Sequence, residues 1–184
     1  MLMDKIQLRQ SILQKNNANP EKDYLIFKNL LSLDEFKEAD LLLTYISIKN
    51  EINTRELLSY CFKAGKRVAV PKIHVRGIEF YEIGSFQVLE FGKFGISEPL
   101  KSCKKAQINR NTFCVVPALA CNPQGFRLGR GGGYYDRFLA EYSSKIGKTA
   151  ALCYAENVIE LPVEEHDKAV DFIITEGGVV VAGG

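Results

Sequence analysis

A chain of 184 residues, 46% apolar and 25% charged, is long enough to bury one substantial core, and it reads as one domain over residues 1–184. Its 24 Lys and Arg against 22 Asp and Glu leave a net charge of +2 without a long basic run, which argues against nucleic acid as the main partner and leaves small anionic ligands open. Five widely spaced cysteines without a C-x-x-C pair exclude a disulfide framework and a zinc site and suit a reducing cytoplasm, while the lack of any apolar run of about 18 residues argues against a membrane. Nothing points to an obligate protein partner.

Asp4 to about Lys15 is predicted to form an amphipathic helix, with Ile6, Ile12 and Leu13 near one face and Lys5, Arg9 and Gln10 elsewhere. Asn19 and Pro20 make a cap and first-turn pair that opens a second helix through Tyr24, Phe27, Leu30 and Leu31, and Asp34 and Glu35 begin another helical turn. The run LLLTYIS, Leu41 to Ser47, fits a buried strand. Asn53 with Glu56 three residues on suggests a capping box for a helix running to Gly65. RVAVP at 67–71, IEFYEI at 78–83 and FCVVPALA at 113–120 read as strands, followed by a glycine-rich loop with the helix YYDRFLAEY, then by TAALCYAEN and VDFIIT as further strands. The tail GGVVVAGG is either a last short strand or a frayed end. Strands alternating with helices predict an α/β fold: a largely parallel central sheet with helices on both faces, Rossmann-like and doubly wound, with ligands beyond the carboxyl ends of the strands.

The chemistry concentrates in GFRLGRGGGYYDRFL, positions 125–139. Gly129, Gly131, Gly132 and Gly133 let the backbone turn tightly and press its N–H groups against an anion. Arg127 and Arg130 add positive charge, and the helix that begins at Tyr134 turns its unpaired amides toward the same place. Asp136, in the first turn of that helix, is placed to hold a divalent cation on phosphates. Neither the P-loop pattern nor the G-x-G-x-x-G fingerprint matches. The bland alternative is a glycine hinge decorated with arginines.

Gly125, Arg127 to Gly131, Gly133 to Asp136 and Leu139, preceded by a strand ending in Pro117-Ala118, resemble the signature of the 5-formyltetrahydrofolate cyclo-ligase family. The resemblance implies a conversion of 5-formyltetrahydrofolate to 5,10-methenyltetrahydrofolate with ATP as co-substrate and Mg2+ as cofactor. It gives Arg127, Arg130 and Tyr134 the catalytic roles, and puts ATP against Lys5, Arg9, Leu128, Gly129, Gly131, Gly132, Gly133 and Tyr135 as well. Folate would meet Ile46 and Glu51 together with the 130–134 loop, the Glu51 carboxylate accepting the donor edge of the pterin. Asp136 and Asp171 would hold magnesium.

Taken without the resemblance, Lys5 and Arg9, four residues apart, read as a solvated helix face, Glu51 as a surface residue and Asp171 as a strand-end residue. Two positions depart from the family pattern: Ala120-Cys121-Asn122 stands where Phe-Asp is common, and Gly132 where many members carry Lys or Arg, so one phosphate cation is missing. Glu98-Pro99, in the family-like GISEP segment, reads as a structural turn, with contact to substrate as the lesser alternative, and His74 and His166 receive no role. A non-catalytic folate- or nucleotide-binding protein on the same scaffold, or another small-molecule kinase, are the alternatives.

Overall fold

In the computed structural model, residues 4–15, 18–92 and 95–183 are described. The chain begins with three helices, α1 (Lys5–Lys15), α2 (Pro20–Ser32) and α3 (Asp34–Glu38). Asn19 caps α2 as expected, its side chain accepting from the Lys22 N–H, with Pro20 in the first turn. Then follow β1 (Leu41–Leu43), α4 (Arg55–Lys63), β2 (Arg67–His74), β3 (Gly77–Ile83), β4 (Leu89–Phe91), β5 (Ser97–Pro99), β6 (Thr112–Pro117), β7 (Ala120–Cys121) and β8 (Arg127–Leu128). The chain closes with α5 (Tyr134–Tyr142), β9 (Lys148–Leu152), β10 (Phe172–Thr175) and β11 (Gly178–Val181). The glycine-bounded tail is therefore a strand.

Among the described residues, seven strands form one sheet in the order β11-β10-β9-β6-β1-β2-β3. The neighbours from β10 to β2 are all parallel, and the two outer strands β11 and β3 run antiparallel. Strand alternation sorts the core onto two faces. Leu42, Val68, Val70, Phe113, Val115 and Ile174 pack with Ile26, Leu30, Phe36 and Leu58 of α2, α3 and α4. Leu41, Leu43, Cys114, Val116 and Ile173 pack on the other face with Phe138 and Leu139 of α5. Strands covered on both sides need apolar residues at every position, which is why LLL and FCVV are unbroken runs. Each fully buried Leu or Ile side chain contributes about 1.5–3 kcal/mol to this packing.

Three local expectations are corrected. Ile6 does not share a buried face with Ile12: it is 65% exposed, whereas Ile12 is 5% exposed and packs with Leu8 and Leu13 on Leu119, Ala120 and Leu128 of the β7–β8 hairpin. The strand predicted to reach Ser47 stops at Leu43. Beyond Thr44 the backbone turns to side chains of the next segment, with Thr54 Oγ1 donating to the Tyr45 carbonyl (2.7 Å) and accepting from Ser47 N (3.1 Å). The capping box at Asn53 and Glu56 does not form. Asn53 N donates to the buried Asp23 (3.1 Å), and the Asn53 side-chain oxygen accepts from Arg55 N (2.9 Å), so α4 starts one residue later, with Thr54 before it.

Candidate active site

The carboxyl ends of β1 and β6 open onto a cavity of about 640 Å³, a size usual for small-molecule sites. One side is built by α1, the 129–133 loop and the start of α5, and the other by β2, β3 and β5. The docking of Leu8 and Ile12 onto the β7–β8 hairpin turns Lys5 and Arg9, one helical turn apart, toward the cavity, so these cations are not a solvated face. Arg9 Nε donates to the Gly129 carbonyl (2.8 Å) and pins the helix to the loop. Lys5 Nζ donates to Asp167 Oδ2 (2.6 Å) and lies 3.4 Å from Glu164.

Arg127 lines the cavity but is largely buried. Its Nη1 donates to the Lys168 carbonyl (2.9 Å) and its Nη2 lies 3.1 Å from Asp136 Oδ1. That Asp136 oxygen is buried, and among the described residues no donor reaches it in hydrogen-bond geometry, so the ion pair leaves it under-satisfied. Gly133, at φ 63°, leads into α5 and sets Asp136 in the first turn. Arg130 Nε donates to Glu51 Oε1 (2.9 Å) and its Nη2 to the Lys49 carbonyl (3.0 Å), which ties the glycine-rich loop to the segment after β1. The second Glu51 oxygen accepts from Ile48 N (3.0 Å). Tyr134 lines the cavity with the Arg137 guanidinium 5.0 Å from its ring centroid. The Tyr135 hydroxyl is buried and has no hydrogen-bond partner among the described residues, and burial, then the nearby Cys114 and Glu51, push its phenol well above the ordinary value, so it stays a proton-bearing donor.

The cavity thus joins a cationic, amide-rich wall to an apolar one. A sequence model described as the 5-formyltetrahydrofolate cyclo-ligase family matches residues 3–176. The chain belongs to that family. It is 30% identical over 176 residues to the probable 5-formyltetrahydrofolate cyclo-ligase of Schizosaccharomyces pombe, covering 84% of each protein. To the cyclo-ligase of Escherichia coli K12 it is 30% identical over 148 residues, covering 77% of this chain and 80% of that protein. The fold is similar to the solution structure of Aquifex aeolicus 5,10-methenyltetrahydrofolate synthetase, with a TM-score of 0.83, 32% identity and coverage of 99% of this chain and 94% of that one.

Of the cyclo-ligase residues expected from the sequence, Lys5, Arg9, Ile46, Glu51, Arg127, Arg130, Asp136, the 128–133 loop and both tyrosines come together around the cavity. Asp171 does not. It precedes β10, at the amino end of a parallel strand, whereas the cavity lies at carboxyl ends. Its Oδ2 accepts from Thr149 N (2.8 Å) and Thr149 Oγ1 (2.7 Å), and its Oδ1 faces Lys148 Nζ at 3.4 Å. The pair of aspartates expected to hold magnesium is thus not assembled, and among the described residues no group of three or more His, Cys, Asp or Glu is arranged to hold a metal. Asp171→Asn is expected to lower stability by about 1–3 kcal/mol through the lost strand-end bonds. Turnover and its magnesium dependence should stay within twofold of wild type. A chemical melt beside a steady-state assay at varied magnesium checks both, and a large loss of turnover in a folded variant would restore a metal role.

Sequence reasoning missed Asp167 and took the buried Glu98 chiefly for a turn residue, and both line the cavity. The signal for Asp167 is its partner 162 residues away, which no local pattern reveals. Burial pushes the Asp167 carboxyl up, but the Lys5 hydrogen bond, the Glu164 backbone N–H and the nearby charges of Lys5 and His166 outweigh it and hold the group below the ordinary carboxylate range. A depressed folded-state value means the contribution is fully present above the unfolded value of about 3.9 and is lost as pH falls through the folded one. Lys5→Ala leaves Asp167, whose side chain is 9% exposed, without its cation. The variant is expected to lose about 1–3 kcal/mol at neutral pH. Because protonation of Asp167 removes the pair's contribution in wild type, the deficit of the variant should shrink as pH falls below about 3.9, which denaturant melts at neutral pH and below that value measure.

Proposed function

We propose that this cavity converts 5-formyltetrahydrofolate to 5,10-methenyltetrahydrofolate at the expense of ATP, with release of ADP and phosphate. The observation that carries the reading is that the glycine-rich loop with Arg9 and Arg130 and the apolar wall from β2, β3 and β5 border one and the same cavity. A formamide oxygen is a poor leaving group. Transfer of the γ-phosphoryl group to it makes an imidate-like phosphate, N10 of the folate attacks the carbon, the ring closes with loss of the N10 proton, and phosphate departs. Positioning and charge stabilisation supply most of such a rate enhancement.

In this reading the loop amides and Arg9 receive the phosphates, and Arg130 bridges from the nucleotide to Glu51 on the folate side. Tyr135 keeps a donor available in the cavity wall, Tyr134 and Ile46 shape the space between the ligands, and Lys5 anchors α1 through Asp167. Arg127 orients Asp136. The under-satisfied Asp136 oxygen fits a hard cation, since magnesium takes one or two carboxylates and completes its shell with phosphate oxygens and water. Bound there, magnesium neutralises phosphate charge. One cyclo-ligase domain over residues 1–184 and a cytoplasmic setting complete the proposal. The setting is supported by five cysteines that are all free, and among the described residues no helix is long and apolar enough to cross a membrane.

Purified protein incubated with 5-formyltetrahydrofolate, ATP and magnesium should produce the near-ultraviolet absorbance of the methenyl product together with one phosphate per turnover. Absence of both in a folded protein overturns the reading.

A further inference from the structure

Glu98 is a buried carboxylate, 5% exposed, on the β5 strand, and it lines the cavity among Pro71, Ile73, Ile78 and Ile96. Its Oε1 accepts from Ile73 N (3.1 Å), and among the described residues this is its one hydrogen bond. Among the described residues no cation pairs with it, and Lys72, beside Ile73 on β2, is committed to Glu90 (3.2 Å) and to the Pro99 carbonyl (2.7 Å). The chain also keeps room for this side chain, because a Cβ at Gly92 would collide with the Glu98 carboxyl group. A carboxylate removed from water and left half-partnered among isoleucines is costly unless a ligand completes it. Glu51, by contrast, has both oxygens engaged, by Arg130 and by Ile48 N.

We propose that Glu98 reads the donor edge of the substrate's pterin, its free oxygen accepting from the adjacent N3–H and 2-amino groups, and that it thereby sets specificity for a 2-amino-4-oxo ring. The inference rests on the folate reading above and deepens it. The pyrimidinone half of the substrate's pterin is a flat ring with apolar faces and polar edges, and one edge carries two parallel donors. A buried carboxylate between branched aliphatic walls is complementary to that shape and charge, and a charge-assisted pair of this kind discriminates strongly against an analogue lacking a donor. Glu51 is left to work with Arg130 at the loop, toward the reacting formyl group.

The Ile73 N–H makes the substitution Glu98→Gln informative. The amide oxygen keeps that backbone bond, so the NH2 turns into the cavity, where it opposes the pterin's donors. KM for 5-formyltetrahydrofolate is expected to rise about 10- to 100-fold, with KM for ATP within twofold of wild type. Wild type should discriminate against the 2-desamino analogue of the substrate by a similar factor, and Glu98→Gln should lose most of that preference. Equal use of the two substrates by wild type overturns the proposal even if the variant does not fold. So does an unchanged folate KM in a folded Glu98→Gln protein. A wild-type protein that turns over neither substrate overturns the folate reading itself, a different outcome from loss of the specificity role alone.

Discussion

Asp136→Asn is expected to cut turnover by roughly 10²- to 10³-fold, equivalent to about 2.7–4 kcal/mol of transition-state stabilisation, while the protein remains folded. The effect follows from where the carboxylate stands. Asp136 sits in the first turn of α5, beside the glycine-rich loop, with an oxygen that is buried and not satisfied by any described donor. An amide of the same size removes the charge that a phosphate-bound cation would need. The change also removes the negative charge that offsets the Arg127 guanidinium, whose side chain is 3% exposed, so a stability loss of about 1–3 kcal/mol should accompany it. Phosphate release under saturating folate, with magnesium varied, separates the two effects. Near-wild-type turnover with an unchanged magnesium requirement would remove Asp136 from the chemistry and leave it as the partner of Arg127.

Gly131→Val should weaken ATP binding by about 10- to 100-fold, or about 1.4–2.7 kcal/mol. Gly131 adopts φ 100°, which a β-branched residue reaches only at a cost of order 1–3 kcal/mol, so the loop is expected to relax into a different path. Space is not the obstacle. A Cβ there would lie 3.6 Å from the Arg9 guanidinium, an ordinary contact. What the relaxation disrupts is the alignment of loop amides and the seat of Arg9 on Gly129, both of which the phosphates need. Because residue 131 is exposed and outside the core, the melting temperature should move little. Titration calorimetry with a non-hydrolysable ATP analogue is the measurement, and undiminished affinity in a folded variant would sink the phosphate-cradle reading.

Much of this site is legible in the sequence because its central part is local. The glycines, Arg127, Arg130, both tyrosines and Asp136 occupy one loop-to-helix junction, and spacing within a single junction dictates which groups can share a ligand. The sheet was legible for a similar reason: strands buried on both faces require unbroken apolar runs such as LLL and FCVV, and the cap at Asn19 acts over three residues. Where the sequence misled, the deciding partner was distant. Asn53 and Glu56 have capping-box spacing, yet Asp23, 30 residues away, takes the Asn53 N–H. Asp171 has the residue type of a metal ligand, but strand direction sends it to the amino end of the sheet, where Thr149 engages it.

The sequence by itself determined the family, the grouping of glycines and cations at one loop-to-helix junction, and the largely parallel sheet, since each rests on residue type and short-range spacing. Only the tertiary structure decided the partners. Lys5 meets Asp167 and Arg130 meets Glu51 because the sheet closes long loops, and Glu98 is recognisable as a buried acid at the cavity only once β2 and β5 have enclosed it beside the Ile73 N–H. Charges paired or stranded in this way depend on burial and on contacts more than 20 residues apart, which residue type and short spacing do not encode.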